Sequence, residues 1–397
     1  MDLSFTPEQE AFRLRLRHWL EENLPSGWGT DAFPQFASYE DEVAFMRDWQ
    51  GKLYRAGWVG LAWPKQYGGQ GATLVEQAIY NQEMARARAP ELVNKVGVNN
   101  VGPTLIMFGT EEQKHRFMPK ILSAEEIWCQ LFSEPGAGSD LASVRTKAER
   151  DGDGYRLTGQ KVWTSYAQFS KWAICLARTD QNAPKHKGLS YLIVDMEAPG
   201  IEIRPLRQMT GGAEFNEVFM DNVFVPRSYL IGKENEGWHV SMHTLAHERG
   251  TAFCFKEQVK QKIWMEQLVE LIRERAAAGQ PVPVTVRDEA MKAFINVEIM
   301  GLLNLKTITR LDRGELPGPE SSLVKEYWSQ LSKHLQQVAV AAEGVHGQLM
   351  PGDARALKGG RWATTYLYAQ SNGIAGGTSE VQLNIVAQRM LGLPKGS

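Results

Sequence analysis

The chain has 397 residues, 43% of them hydrophobic, which is enough for two or three domains with substantial cores. Lys and Arg total 44 against 46 Asp and Glu, and the net charge of −2 gives no reason to expect nucleic acid or an anionic membrane as partner. No run is long and apolar enough to span a membrane, and the N-terminus lacks a signal-peptide layout. Three isolated cysteines argue against disulfides or a metal site and indicate a reducing, cytoplasmic location.

The first 127 residues have helical periodicity. A helix begins at Thr6, with Pro7 at its first position and Gln9 completing a capping box, and it continues to Pro25. Further helices are predicted over 41–56, 73–88 and 110–122, separated by the loop 63–71 and an apolar segment at 96–108. We therefore expect an N-terminal all-helical domain over 1–127.

Between residues 128 and 232 the period changes to two, which predicts a β domain. The sequence Asp151-Gly152-Asp153-Gly154 is a strong hairpin signal between two of the strands. Predicted strands cover 128–133, 143–150, 155–165, 172–179, 189–196, 201–206 and 217–226. Short strands with regular turns predict a small barrel or sandwich.

Long helical patterns return after Gly237, over 238–275, 286–313, 321–343 and 379–391. Four helices with short links predict a four-helix bundle over 233–397. The predicted fold class is α+β, mainly α.

The segment 128–165 is the most informative. A buried strand breaks into EPGAGSD, where Gly136 and Gly138 are expected to allow backbone angles and close approaches that a side chain would forbid. Because more strand follows, and not a helix, the loop is not a dinucleotide fingerprint. A glycine loop beside Trp163 and the hydroxyls of Thr164 and Ser165 suits a flat, polar ring system.

SEPGAGSD followed by GQKVWTS resembles the signature of the acyl-CoA dehydrogenase family, and the resemblance covers nearly the whole chain. It implies three domains, with FAD held by the β domain and the bundle and its adenosine half reaching a neighbouring subunit. It also implies desaturation of an acyl-CoA thioester, in which the α proton goes to a base and the β hydride goes to flavin N5. Electrons would pass to an electron-transfer flavoprotein, within the β-oxidation of lipids or steroids.

The resemblance also assigns residues to the FAD site. Positions along the ring, the pyrophosphate and the adenosine are Gln130, Leu131, Phe132, Ser133, Gly138, Ser139, Trp163, Thr164, Ser165, Thr378 and Glu380. Ser139 would also touch the CoA. For Trp163, a purely structural role is the alternative.

The catalytic base has two possible places in the family. The commoner glutamate position, before Gly-Thr in the C-terminal loop, is occupied here by Gly376, whose backbone N–H would polarise the thioester carbonyl. The other position, on the first bundle helix, holds Glu248, which we predict to be the base. Its alternatives are a solvated carboxylate at this position, or His247 as the base, about 100° around the helix. Leu245 and Arg249 are predicted to line the substrate pocket, although Arg249 could equally form a structural salt bridge.

Two family strings that help to hold FAD are altered. The family's arginine motif is missing, and residues 279–284 stand in its place. The family's glycine-rich motif is only partly matched, at 344–348. These changes count against symmetric FAD binding, so a homo-oligomer and a hetero-oligomer with a second dehydrogenase subunit are both predicted. A non-catalytic or FAD-sharing partner subunit and a same-fold oxidase or monooxygenase stay as alternatives. Small residues at Gly97, Ala246 and Ala375 favour branched or ring-bearing acyl groups.

Overall fold

The computed structural model describes residues 5–29, 33, 36–248, 251–313 and 318–394, without the side chains of 247–248, 251–255 and 311–312. The chain divides into two compact units. The first comprises Met1–Phe33, Thr73–Ala89 and Arg249–Ser397, and the second comprises Pro34–Ala72 and Pro90–Glu248. The predicted boundaries of three domains, 1–127, 128–232 and 233–397, stay a prediction.

The helices follow the predicted order. They are α1 (Pro7–Asn23), α2 (Tyr39–Arg55), α3 (Leu74–Arg86), α4 (Gly102–Phe108), α5 (Glu111–Ser123), α6 (Gly237–Glu248), α7 (Thr251–Ala277), α8 (Val284–Asp312), α9 (Glu320–Glu343), α10 (Arg361–Ala369) and α11 (Ser379–Ile385). A π-helical turn, Gly97–Val101, precedes α4. None of the helices among the described residues is long and apolar enough to cross a membrane.

The strands are β1 (Trp128–Leu131), β2 (Lys147–Asp151), β3 (Gly154–Ser165), β4 (Trp172–Arg178), β5 (Leu189–Asp195), β6 (Ile201–Leu206), β7 (Phe215–Pro226) and β8 (Leu230–Ile231). In the described chain they form one eight-stranded sheet in the order β6-β7-β3-β2-β4-β5-β8, with β1 parallel to β4. The α+β fold class, with helical N- and C-terminal parts and a middle sheet, is confirmed.

Several local predictions are confirmed and others are wrong. The capping box of α1 forms, with Thr6 Oγ1 accepting from the Gln9 amide at 3.3 Å. The strand predicted from residue 143 begins only at Lys147, because Leu141–Ser143 is a 3₁₀ turn. Helix α10 was not predicted. The helix predicted over 238–275 is described as α6 and α7 on either side of 249–250, and the predicted stop at 314 lies outside the described residues.

One apolar cluster of the second unit lies on one face of the sheet, and β4 and β5 are buried on both faces. Alternate residues of β3, β5 and β7, such as Leu157, Leu192 and Val218, are fully buried there. Cys129 and Cys175 are buried free thiols in the same cluster, as expected of inert cysteines. The side chain of Cys254 lies outside the described residues.

The first unit is a helical bundle. Helices α7, α8 and α9 bury an apolar core that includes Leu268, Val297 and Leu335. Helices α1 and α3 belong to this unit and are joined by an ion pair in which Arg17 donates to the buried Glu83 at 2.8 Å. Burial raises the pKa of Glu83, but hydrogen bonds and charges from two arginines outweigh it and the pKa is lowered.

Candidate active site

The glycine loop after β1 is anchored by a buried ion pair. The Glu134 carboxylate accepts from Lys161 Nζ at 2.9 Å, from Thr146 Oγ1 at 2.6 Å and from the Arg145 and Thr146 amides. Lys161 is fully buried and also donates to two backbone carbonyls. Burial opposes ionisation of Glu134, but the Lys161 charge and these hydrogen bonds prevail and lower its pKa. The loop is therefore fixed to β3.

Neither residue of this ion pair was singled out from the sequence. A signal was available, because a glutamate in SEPGAGSD and a lysine in GQKVWTS are charged residues inside two otherwise small or apolar motifs. Charged side chains are almost never fully buried unless they are paired. The pairing itself depends on β3 returning beneath the loop.

The two loop glycines do not need glycine backbone angles. Neither Gly136 nor Gly138 has a positive φ, and a Cβ added to either would meet no atom of the described residues within 4 Å. The expectation that their backbone conformation excludes side chains is therefore wrong. What they provide is open space along an exposed loop, next to the exposed Ser139. A bound group can approach this backbone closely.

Trp163 lies in a bulge of β3. Lys161 pairs with Val218 and Thr164 with Asn216, so two β3 residues oppose one β7 residue. Trp163 has φ +61°, a left-handed conformation that is unfavourable for a large side chain. The residue is 62% exposed. The bulge thus presents a flat aromatic surface outward.

Thr164, the next residue, has a buried hydroxyl without a hydrogen-bond partner among the described residues. Its backbone carbonyl accepts from Asn216 Nδ2 at 3.0 Å, and this holds the end of the bulge. A buried unpaired hydroxyl in a native structure indicates an absent partner. An exposed indole beside such a hydroxyl fits the face and polar edge of an isoalloxazine ring, so these residues fit FAD.

The site residues predicted in β1 and just after it differ in which groups they expose. Leu131 and Phe132 have buried side chains, and Phe132 packs edge-on against Tyr191 with the ring centroids 5.7 Å apart. Gln130 is half-buried and its Oε1 accepts from Asn100 Nδ2 at 3.0 Å. Ser133 is half-buried, and its carbonyl accepts from the Val162 amide. The side chains of Leu131 and Phe132 are therefore turned away from a cofactor, and the Phe132 carbonyl accepts from Lys161 Nζ at 3.0 Å.

Helix α6 carries the predicted base at its end. Its buried arc consists of Gly237, Val240, Ser241 and Thr244, whereas Ala246 is exposed and the predicted pocket residue Leu245 is half-buried. The helix extends through Glu248. The side chains of His247 and Glu248, and the whole of Arg249, lie outside the described residues.

The C-terminal loop before α11 belongs to the first unit. Gly376 and Gly377 have φ +67° and +94°, which favour glycine. Lys325, buried on α9, donates to the Gly377 carbonyl at 2.8 Å, and Gln382 Nε2 donates to the Gly376 carbonyl at 3.0 Å. The Gly376 N–H donates to no described residue. The loop is thus held through its carbonyls, while this amide stays available.

The adenosine-side predictions also lie at this loop. Thr378 is the N-cap of α11, with its hydroxyl accepting from the Val381 amide at 3.3 Å. Glu380 is exposed in the first turn of the same helix. Lys325 and Gln382, which hold the loop, were not predicted because their contacts come from helix packing.

The comparisons with known proteins cover the whole length. Three family models match: acyl-CoA dehydrogenase N-terminal domain over 6–125, middle domain over 129–223 and C-terminal domain over 235–391. The chain is 40% identical to acyl-CoA dehydrogenase IpdE1 of Mycobacterium tuberculosis, over 97% of this chain and 98% of the relative.

Two solved structures are similar to the chain over its full length. A structure described as the Tcur3481-Tcur3483 steroid ACAD matches with 32% identity and a TM-score of 0.85, over 100% of both chains. The ChsE4-ChsE5 complex from Mycobacterium tuberculosis matches with 30% identity and a TM-score of 0.83, also over 100% of both chains.

Proposed function

The chain belongs to the acyl-CoA dehydrogenase family and is an FAD-dependent oxidoreductase acting on the CH–CH bond of an acyl-CoA thioester, and from this premise we propose that Glu248 removes the α proton. The observation that carries the site assignment is the β3 bulge, with the exposed Trp163 beside the unpaired, buried Thr164 hydroxyl. When bound, FAD supplies the acceptor for the β hydride.

The proposed roles of the chain's own residues follow from their surroundings. Trp163 supports the flat face of the ring, and the Thr164 hydroxyl donates to its polar edge, with Ser165 beside it. Gln130, Ser133 and the open backbone at Gly138 and Ser139 line the approach of the pyrophosphate. The free Gly376 amide donates to the thioester carbonyl and stabilises the negative charge that forms when the α proton leaves.

Helical spacing supports Glu248 over His247. With about 100° per residue, position 248 falls between Ser241 and Thr244 in the buried arc of α6, whereas position 247 falls at its edge, beyond Val240. A base that takes a proton from a weakly acidic carbon requires a raised pKa, and burial of a carboxylate raises its pKa. Gly376 leaves no carboxylate at the other family position.

The substrate and partners are proposed from the relatives. Two similar structures are described by paired names, and one of them is called a steroid ACAD. Together with the altered FAD strings at 279–284 and 344–348, this supports a hetero-oligomer with a second dehydrogenase subunit acting on a ring-bearing acyl-CoA. We place the enzyme in the cytoplasm, with an electron-transfer flavoprotein as electron acceptor.

The test is anaerobic reduction of the yellow holoenzyme, alone and mixed with a candidate second subunit. Butyryl-, isobutyryl- and octanoyl-CoA and a steroid side-chain CoA thioester serve as probes. We expect the steroid thioester to bleach the flavin fastest. A protein that stays colourless alone and in the mixture, or a flavin that no thioester bleaches, would contradict the proposal.

The base assignment has its own variant pair. Glu248→Gln removes the base but keeps the shape of the side chain, so we expect normal FAD content and ligand binding but a loss of flavin reduction by several orders of magnitude. His247→Ala is the matched control and should be much milder. Retained reduction in Glu248→Gln rules the assignment out.

A further inference from the structure

Three buried hydroxyls join α6 to β5 and α4. Tyr191 Oη on β5 lies 2.9 Å from Thr244 Oγ1 on α6, and Thr104 Oγ1 on α4 lies 2.8 Å from the same atom. All three side chains are 0% exposed. Thr104 Oγ1 also contacts the Asn100 carbonyl at 2.7 Å, and Thr244 Oγ1 contacts the Val240 carbonyl at 3.1 Å.

The contacts between these groups are continuous. Thr104 can donate to the Asn100 carbonyl and Thr244 to the Val240 carbonyl, because a carbonyl only accepts. In each of the two contacts between hydroxyls, either oxygen can be the donor. The cluster therefore links β5 through α6 to the turn before α4.

The turn at the end of this hydroxyl cluster is itself held by hydrogen bonds and packing. Asn100 lies in the π-helical turn Gly97–Val101, and its Nδ2 donates to Gln130 Oε1 on β1 at 3.0 Å. Trp63 Nε1 donates to the Val98 carbonyl at 3.2 Å, and a Cβ added to Gly102 would lie 1.8 Å from a ring atom of Trp63. One rigid turn thus connects both to β1 and to α6.

We propose that Tyr191, Thr244 and Thr104 are positioning residues that set the place of α6, and with it the base, relative to β1. The inference rests on the proposed function, with Glu248 as base and β1 beside the flavin. Thr244 and Glu248 are four residues apart in α6, so both positions lie on the same face, one turn apart.

Hydroxyl contacts restrain a helix in a way that apolar contacts do not. An apolar surface tolerates sliding and rotation, whereas hydrogen bonds between 2.7 and 2.9 Å long are directional. A misplacement of about 1 Å at a reacting group can cost on the order of a hundredfold in rate. Thr244→Val keeps the shape of the side chain but removes the middle hydroxyl of the cluster. Tyr191 and Thr104 then lose the partner that they share.

The experiment is stopped-flow reduction of the holoenzyme by whichever of the four probe thioesters bleaches the wild-type flavin fastest. For Thr244→Val we expect a rate about 10- to 100-fold lower, with the half-saturating thioester concentration and FAD content changed by less than about threefold. The isotope effect with α-deuterated thioester should rise, because proton removal becomes slower. Thr244→Ser, which restores the hydroxyl, should recover most of the rate, and Tyr191→Phe should lose about tenfold.

Thr365→Val is the matched control. Thr365 lies on α10, and its Oγ1 donates to Gln336 Oε1 on α9 at 2.6 Å, outside the hydroxyl cluster. An unchanged rate or isotope effect in Thr244→Val overturns the inference, and so does a loss that tracks FAD content or that Thr365→Val shares. If Thr244→Val does not fold, Tyr191→Phe decides by the same criteria. A wild-type flavin that no thioester bleaches overturns the proposed function, whereas a bleached wild type with an unaffected Thr244→Val overturns this inference alone.

Discussion

The glycine loop and the β3 bulge, in the same compact unit, show opposite relations between residue type and backbone. Gly136 and Gly138 have ordinary φ angles that any residue could adopt. Trp163 has a left-handed φ of +61°, which costs a non-glycine residue about 1–2 kcal/mol. The loop therefore uses glycine for space, and the bulge keeps tryptophan in spite of its backbone cost.

The two regions are also anchored by different forces. The loop depends on the buried ion pair between Glu134 and Lys161. The bulge depends on a neutral amide, since Asn216 Nδ2 donates to the Thr164 carbonyl at 3.0 Å. Charge changes should therefore affect the loop, and changes of side-chain shape should affect the bulge.

The largest expected effect is on the loop anchor. Lys161→Met leaves the buried Glu134 without its counter-ion, which should lower the free energy of unfolding by about 3–5 kcal/mol. Urea denaturation of the holoenzyme measures it. Lys185→Met, which breaks the exposed pair with Asp140, is the control and should cost no more than about 1 kcal/mol. Equal losses of unfolding free energy in the two variants would show that the buried pair stabilises the protein no more than the exposed pair.

Acid should weaken the stabilisation by Glu134 but not the stabilisation by Asn216. The folded state lowers the pKa of Glu134 below 4.5, so its stabilisation is complete above that value and disappears as pH falls through the lowered pKa. The stability gap between wild type and Glu134→Gln should therefore narrow in acid. The gap between wild type and Asn216→Ala, a neutral change, should stay constant across the same pH series. A gap for Glu134→Gln that is constant with pH would contradict this.

Filling the open space of the loop should weaken FAD. Because a Cβ added at 138 meets no described atom within 4 Å, Gly138→Val should leave the thermal stability of the apoprotein unchanged. We expect the FAD dissociation constant, measured by fluorescence titration, to rise at least about tenfold, or about 1.4 kcal/mol. Unchanged FAD affinity would mean that no group approaches this backbone.

The smallest effect tests the bulge itself. Trp163→Gly and Trp163→Ala both remove the exposed indole, but only glycine relieves the left-handed angle, so the glycine variant should be more stable by about 1 kcal/mol. At Phe224, an exposed position of β7 with ordinary φ, the order should be reversed. Chemical denaturation of the four variants measures both differences, and the same order at both positions would refute the strain.

The sequence predicted what depends on neighbouring residues. The α1 capping box is encoded within four residues, and the strands follow from a period of two. Helix α10 was missed because its N-cap, Gly360, makes no side-chain hydrogen bond and follows a kinked stretch. Without a cap signal, a nine-residue helix is hard to distinguish from a loop.

The site was predicted as a motif but not as a geometry. Trp163 and Thr164 were identified by their motif, whereas the bulge that exposes Trp163 depends on the register of β3 with β7, a strand about fifty residues later. The hydroxyl chain joins residues as far as 140 positions apart. For the loop glycines, the expected backbone angles were wrong and the expected room for a close approach stays a prediction, because a sequence does not distinguish glycine that bends from glycine that makes room.

The second compact unit ends at Glu248, so the proposed base folds together with Trp163 and Thr164, while Gly376 belongs to the other unit. The distance between the position of this proposed base and Trp163 is then set within one compact unit. Evolution could rebuild the bundle, for a new companion chain or a bulkier acyl group, without retuning that distance. Such modularity would allow relatives to diversify their assemblies while the deprotonation chemistry stays the same.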